Sequence, residues 1–232
     1  MAPNIYNGDF HKTLYDVQEV IPKTTEINQK TFISRNRLYK LTEYQVVGSS
    51  SYDGFIQIEF YNFGEGLKDI YSYFEQNDFD PEEQNIRNIL SLKLPYTLEI
   101  VARYSFKNLR LSINGSRKDG KQIKGAYVDD IHNSYGLTSY AYRYLLNTYN
   151  LLISDNEQTL DGYGLWLNKI SGWSRVLVYD IKTDEIICEN LNLLSPSIFP
   201  WKLPDELDEI EHPLTKHKEC KFYTVLFIMQ LN

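Results

Sequence analysis

Between Asp129 and Ser139 the chain gathers several groups that could do chemistry: Asp129, Asp130, His132, Ser134, Thr138 and Ser139. His132 directly follows the strand expected over Gln122–Ile131 and precedes Asn133-Ser134-Tyr135-Gly136-Leu137, where a helix should begin. An imidazole there could act as a base or touch a phosphate, although a lone histidine more often makes a local hydrogen bond. Hydroxyls and free N–H groups at a helix N-terminus suit a phosphate. Asp129 and Asp130 are adjacent, so strand alternation puts them on opposite faces and only one can look into a cleft. A second set follows at Ser154, Asp155 and Gln158, where an apolar strand ends and a helix should start. These residues could cap that helix or line a substrate cleft at the C-terminal end of a sheet. His11, His212 and His217 have no metal-ligand spacing with acids or cysteines. Cys188 and Cys220 form no CxxC pair; Cys188 has no adjacent His or basic cluster, and Cys220, though near His217 and Lys218, opens an apolar strand, so no metal and no cysteine chemistry are expected. There is no Walker loop, HExxH or GxSxG.

The elements that would position these groups can be read from periodicity. Tyr44–Val47 and Phe55–Phe60 are β-prone, the second alternating apolar and polar. Leu67, Ile70, Tyr71 and Phe74 fall on one helical face. Asp80-Pro81-Glu82-Glu83 predicts a capped helix start, with Ile86, Ile89 and Leu90 as its stripe and Pro95 as its stop. Two strands, Thr97–Tyr104 and Leu109–Ile113, are expected on either side of a turn at Lys107-Asn108. A turn at Asn114-Gly115, a basic loop at 116–121 and a strand at Gln122–Ile131 should follow. An alternation comes next: a helix after Leu137 (Tyr140, Ala141, Tyr144, Leu145), a strand at Leu151–Ile153, a helix carrying Leu160, Tyr163, Gly164 and Leu167, and strands at Arg175–Tyr179 and Glu185–Cys188. Residues 205–211 are an acidic run and read as a solvated face. Cys220–Leu231 is a strongly apolar strand. It would be an aggregation hazard if unpaired, so it is expected to insert into the sheet.

The composition bounds the choice. A chain of 232 residues fits one large domain or two small ones and can bury a core without disulfides. The division expected is a β-rich N-terminal extension with two helices over 1–95 and a core with a C-terminal strand over 96–232. A net charge of −7 argues against a general nucleic-acid binder. No apolar run approaches the ~20 residues that span a bilayer, so no membrane partner is expected. The opening MAPNIYNGDFHK has no basic region followed by an apolar stretch, so no signal peptide is expected. With two cysteines the default compartment is a reduced cytoplasm. The 19 tyrosines suit half-buried strand faces or a contact surface.

Three pieces carry a resemblance: Gly125-Ala126-Tyr127-Val128-Asp129-Asp130-Ile131-His132; then Asn133-Ser134-Tyr135-Gly136-Leu137-Thr138-Ser139 leading into a helix; then Leu151-Leu152-Ile153-Ser154-Asp155, Glu157-Gln158-Thr159, Gly162 and Trp166, and the strand Arg175–Asp180. Together they resemble the GNAT N-acetyltransferase superfamily, in particular divergent GNAT-like proteins of bacteriophages and prophages. The resemblance implies an α/β (α+β) fold: a mixed, mostly antiparallel twisted sheet flanked by helices, with the N-terminal extension added to it. It also implies acetyl-CoA as the cofactor, held by a loop that reads Arg or Gln, two residues, Gly, one residue, then Gly or Ala. Gly136 matches that loop, while Asn133 and Thr138 depart from it at the first and last positions.

Carried over residue by residue, the resemblance makes Asn133, Tyr135, Gly136, Leu137, Thr138 and Ser139 cofactor-binding. It places the N–H that polarises the thioester near Val128 or Asp129. It makes Asp129 or Asp130 the base and Tyr163 the acid that protonates the leaving thiolate. His132, Ser154, Asp155 and Gln158 are further cleft candidates. The activity implied is acyl transfer from acyl-CoA to an amine on a protein or small molecule, in the host cytoplasm if the chain is phage-encoded. A rival reading keeps the fold without the catalysis: a binding protein such as a phage-encoded inhibitor of a host protein, or a virion structural component. The altered loop, acidic charge and many tyrosines fit that reading.

Overall fold

The structure of the protein is a computed structural model, and it describes residues 4–6, 23–49, 51–76, 81–113, 115–155, 157–159, 162, 164–180, 185–189 and 224–229. In chain order the strands are β1 (Asn4–Tyr6), β2 (Thr24–Ser34), β3 (Arg37–Val46), β4 (Gly54–Asn62), β5 (Thr97–Ile113), β6 (Ser116–Val128), β7 (Leu151–Ile153), β8 (Glu157–Thr159), β9 (Arg175–Asp180), β10 (Glu185–Cys188) and β11 (Thr224–Met229). The α-helices are α1 (Leu67–Gln76), α2 (Glu82–Ser91) and α3 (Leu137–Tyr149). The chain divides into two compact units. One, here the hairpin unit, is Leu14–Ser105 with Ala126–Ala141; the other, the crossover unit, is Met1–Thr13, Phe106–Gly125 and Tyr142–Asn232.

In the hairpin unit the strand order is β2-β3-β4-β5-β6, and β2/β3 and β3/β4 are antiparallel. Arg35 and Asn36 turn β2 into β3 with φ of 47° and 59°. Two consecutive left-handed residues give a hairpin turn whose twist matches the strands it joins. One sheet face packs on α1 and α2 through Leu38, Tyr61, Phe63, Ile70, Phe74 and Ile89. The opposite face buries aromatic rings: Phe32 stacks on Tyr140 at 3.6 Å and on Tyr39 at 5.4 Å. α2 begins at Glu82, with Pro81 ahead of it at φ −56°; Glu82 accepts a bond from the Ile33 N–H, tying the helix to β2. The expected cap Asp80 lies outside the described residues.

In the crossover unit the order is β5-β6-β7-β11-β9-β10. β6 and β7 run parallel, Lys121 opposite Leu152 and Gln122 opposite Ile153, while β7/β11, β11/β9 and β9/β10 are antiparallel. Parallel neighbours need a crossover, and the residues between β6 and β7 include α3. β11 lies between β7 and β9, so the late apolar stretch does insert into the sheet, as its sequence demands. β1 and β8 form a separate parallel pair. The core is Leu111, Ile113, Leu151, Ile153, Leu177 and Tyr179.

Three local expectations are corrected. Thr97–Ile113 is one strand of 17 residues, without a turn at Lys107-Asn108. The expected basic loop at 116–121 belongs to β6. Both corrections have one cause: β5 and β6 are hydrogen-bonded neighbours, and the backbone ladder outweighs the turn preference of polar residues. Their side chains pair across it, Arg110 with Asp119 at 2.6 Å and Lys121 with Asn108 at 2.5 Å. Finally, β6 stops at Val128, because Asp129 accepts from the Ile131 N–H at 2.9 Å and caps a 3₁₀ turn over Asp130–Tyr135.

Candidate functional site

The hairpin unit holds the stretch from Val128 to Ser139. Val128 ends β6 half-buried. The Asp129 N–H donates to the Val101 carbonyl of β5 at 2.8 Å. That N–H is therefore spent within the sheet, and alternation aims the Val128 N–H at the opposite edge of β6. Asp129 is also engaged through its carboxylate, as the cap just described. Asp130, its neighbour, is exposed.

His132 is a core histidine. It is 5% exposed, its Nδ1 lies 3.0 Å from the Tyr39 hydroxyl, and the rings of Tyr39, Phe60 and Tyr135 surround it. Burial and then the nearby Arg37 charge hold its pKa below the usual 6.5, with Asp129 and Glu99 opposing. Both causes favour the neutral imidazole, which braces the loop through Tyr39.

Gly136 has φ of 74°, in the left-handed region. It ends the 3₁₀ turn and opens α3, whose first i→i−4 bond runs from the Tyr140 N–H to the Gly136 carbonyl at 3.1 Å. An L side chain would be strained at that φ. The N–H groups of the helix's first turn have no partner within the helix. Leu137 is buried and anchors the turn; Thr138 Oγ1 meets the Tyr104 hydroxyl at 3.1 Å; Asn133 and Ser134 are exposed, and Ser139 is half-buried. The β2–β3 hairpin braces this loop. Ser34 Oγ donates to the Tyr135 carbonyl at 2.5 Å, and the Arg37 guanidinium lies 4.1 Å from the Tyr135 ring centroid. Sequence reading missed Arg37, because nothing near residue 37 signals contact with a loop some hundred residues away. The signal available was the Arg35-Asn36 pair, which needs a turn.

The crossover unit holds Ser154 and Asp155. Ser154 is fully buried, and its carbonyl accepts from Gln122 Nε2 at 3.2 Å. Asp155 pairs with Lys124 Nζ at 2.5 Å, with side-chain exposures of 14% and 29%. Its carboxylate is neutralised, which suits a clamp between the end of β7 and β6 better than a general base. Gln158 lies in β8 opposite Ile5 of β1. Tyr163 lies outside the described residues. Near it the chain forms a π-helical turn over Leu165–Lys169, and Trp166 is buried against Tyr142 at 6.0 Å. Complete burial pushes the Tyr142 hydroxyl well above its usual range.

Among the described residues no group of three or more His, Cys, Asp or Glu side chains could hold a metal ion, and no helix is long and apolar enough to cross a membrane. Comparisons with protein-family models, curated proteins and solved structures find no match to this chain.

Proposed function

We propose that the chain is a GNAT-like acyltransferase of bacteriophage or prophage type that binds acetyl-CoA. Its pyrophosphate would lie against the Gly136 turn and the first turn of α3, where the N–H groups of Leu137, Thr138 and Ser139 face an anion. The observation that carries this reading is Gly136 at φ 74° at the head of a 13-residue helix, with an arginine beside it. The loop lacks the family's usual basic first residue, since Asn133 stands there. Arg37, half-buried against Tyr135, supplies positive charge from the hairpin instead. The fold adds support: β6 and β7 are parallel and joined through α3, and their paired residues end at Gln122 and Ile153 while β6 continues to Val128.

The reaction would form a bond between the acceptor nitrogen and the acyl carbon, break the carbon–sulfur bond of the thioester, take one proton from the amine and return one to the leaving thiolate. The Val128 N–H would polarise the thioester carbonyl. Asp130 is the carboxylate of the pair that remains available as base, because Asp129 is held in its cap. Tyr163 is the proposed acid.

A second reading keeps cofactor binding without turnover. It is favoured by the engagement of two of the three candidate carboxylates, Asp129 in a cap and Asp155 in an ion pair. The protein would then act by binding a host protein or as part of a virion. One calorimetric experiment addresses both. Titrating acetyl-CoA into the full chain should give micromolar binding that Gly136→Trp abolishes and Arg37→Ala weakens about tenfold, the loss of one phosphate-facing charge. No binding at millimolar ligand would overturn the acyl-CoA reading. Binding without thiol release across a panel of primary amines would select the second reading.

A further inference from the structure

A polar row crosses the face of the hairpin-unit sheet that carries Leu38 and Tyr61. Register places Lys40 opposite Glu59, Thr42 opposite Gln57, and Tyr44 opposite Phe55. Arg103 of β5 joins the row by donating from Nε and Nη2 to Gln57 Oε1, at 3.1 and 2.8 Å. These groups are withdrawn from water: Arg103 is 7% exposed, Gln57 8% and Thr42 1%.

The charges in this row do not balance. A guanidinium has five N–H donors and matches a carboxylate or phosphate edge-on. Here it meets one neutral amide oxygen. No carboxylate among the described residues lies within 4.0 Å of it. Glu59 is the carboxylate whose field reaches Arg103, and it is already held by Lys40 at 2.7 Å. Two cations therefore share one anion in this row, with Arg103 buried and Lys40 and Glu59 half-buried. A buried charge without a counter-ion is expensive, and native proteins rarely keep one without a reason. The hydroxyl of Thr42, directly opposite Gln57, is buried with no hydrogen-bond partner among the described residues, which is a second cost at the same place.

The surroundings of Arg103 are aromatic. Its Cζ lies 5.9 Å from the Phe55 ring centroid; Tyr44 stacks on Phe55 at 4.9 Å, and Tyr52 meets it edge-on at 6.5 Å. Tyr44 and Tyr52 are only half-buried, so this end of the row is where solvent comes nearest. Burial raises the Tyr52 hydroxyl's pKa, and the Arg103 charge draws it back.

We propose that this row binds a small organic anion. Its carboxylate or phosphate would pair with the uncompensated N–H groups of Arg103 and accept from the Thr42 hydroxyl, and its apolar body would lie against Tyr44, Tyr52 and Phe55. The proposal stands apart from the acyl-CoA reading: it uses none of the same residues, and it would hold if that reading failed.

The test is thermal unfolding of the full chain in an anion-poor buffer, with benzoate and inorganic phosphate as separate probes. At about ten times its dissociation constant, a ligand of the native state should raise Tm by about 3 °C for a chain of this size. A benzoate-specific rise assigns a carboxylate with a ring, and a phosphate-specific rise assigns a phosphate. Arg103→Met should remove the rise, and Thr42→Val should reduce it severalfold. Without probe, Arg103→Met should be at least as stable as the parent, since it removes an unpaired buried charge. Absence of any rise in the parent, or a rise that survives Arg103→Met, would overturn the proposal. Should Arg103→Met not fold, the ¹⁵N resonance of Arg103 Nε in the parent replaces it as readout: a saturable shift with one probe supports the site, and a resonance that neither probe moves rejects it.

Discussion

The crossover unit and the hairpin unit solve the same packing problem with different side chains. The crossover core is nearly all aliphatic, Leu111, Ile113, Leu151, Ile153 and Leu177 around one tyrosine, whose hydroxyl donates to the Ser112 carbonyl. The hairpin unit instead buries His132, Arg103, Gln57, Thr42 and Glu43 among its strands, and stacks Phe32, Tyr39 and Tyr140 beside them. An aliphatic core depends on volume and is indifferent to pH. A polar, aromatic core depends on each partner being present and in the right protonation state. Both units bury polar groups, Gln122 and Ser154 in the crossover unit among them, but of the described residues the buried Glu43, Arg103 and His132 lie in the hairpin unit with the Gly136 turn, and this is where function is expected to sit.

Four measurements would break or sharpen that contrast. Ile153 is fully buried in the aliphatic cluster, so Ile153→Ala should cost about 2–5 kcal/mol in urea unfolding, equally at pH 5 and pH 8. A pH-dependent loss would dissolve the distinction. Gly120 comes next. A Cβ there would lie 2.8 Å from Leu151 Cγ and 3.0 Å from its carbonyl oxygen, so Gly120→Ala should destabilise by about 1–3 kcal/mol through overpacking. A neutral result would show that β6 and β7 can part at that point.

The third measurement concerns His132, whose pKa in the folded state lies below 6.5 because it is buried and faces Arg37. As pH falls through 6.5 the unfolded chain takes up the proton first, so stability is lost below that pH and no such loss is felt above it. His132→Phe should flatten the acid side of the stability profile, as measured by Tm between pH 5 and 8. An unchanged profile would place the acid sensitivity elsewhere. The smallest effect is expected at the Arg110–Asp119 pair, which is fully exposed despite its good geometry. Arg110→Ala should leave Tm unchanged within error.

Periodicity made much of this architecture legible. The stripe of Ile86 and Ile89 gives α2, the apolar runs at 151–153 and 224–229 give β7 and β11, and the need to pair the latter predicts its insertion. Gly136, singled out in the sequence as opening a helix, stands just ahead of α3, where the left-handed φ explains the glycine. Long strands with polar stretches were not legible, because Lys107, Asn108, Arg117 and Lys118 look like loop residues until β5 and β6 pair. Nor was the row around Arg103. Its members come from three strands and read singly as ordinary surface residues. Only the register that sets Thr42 against Gln57 shows that they meet out of water. Likewise Asp129 reads as a catalytic base or a strand-end turn residue with equal ease, and the bond from the Ile131 N–H that makes it a cap is visible only in the structure.

The place of β11 has a consequence in time. During synthesis β7 and β9 leave the ribosome well before Thr224–Met229, and each needs that segment as its neighbour. Until it arrives the two strands have open edges facing one another, able to pair wrongly or with another nascent chain. The crossover sheet therefore closes late and over a long sequence separation, which makes for slow folding. The β2–β3–β4 meander, whose contacts are local, can form while the rest is still being made.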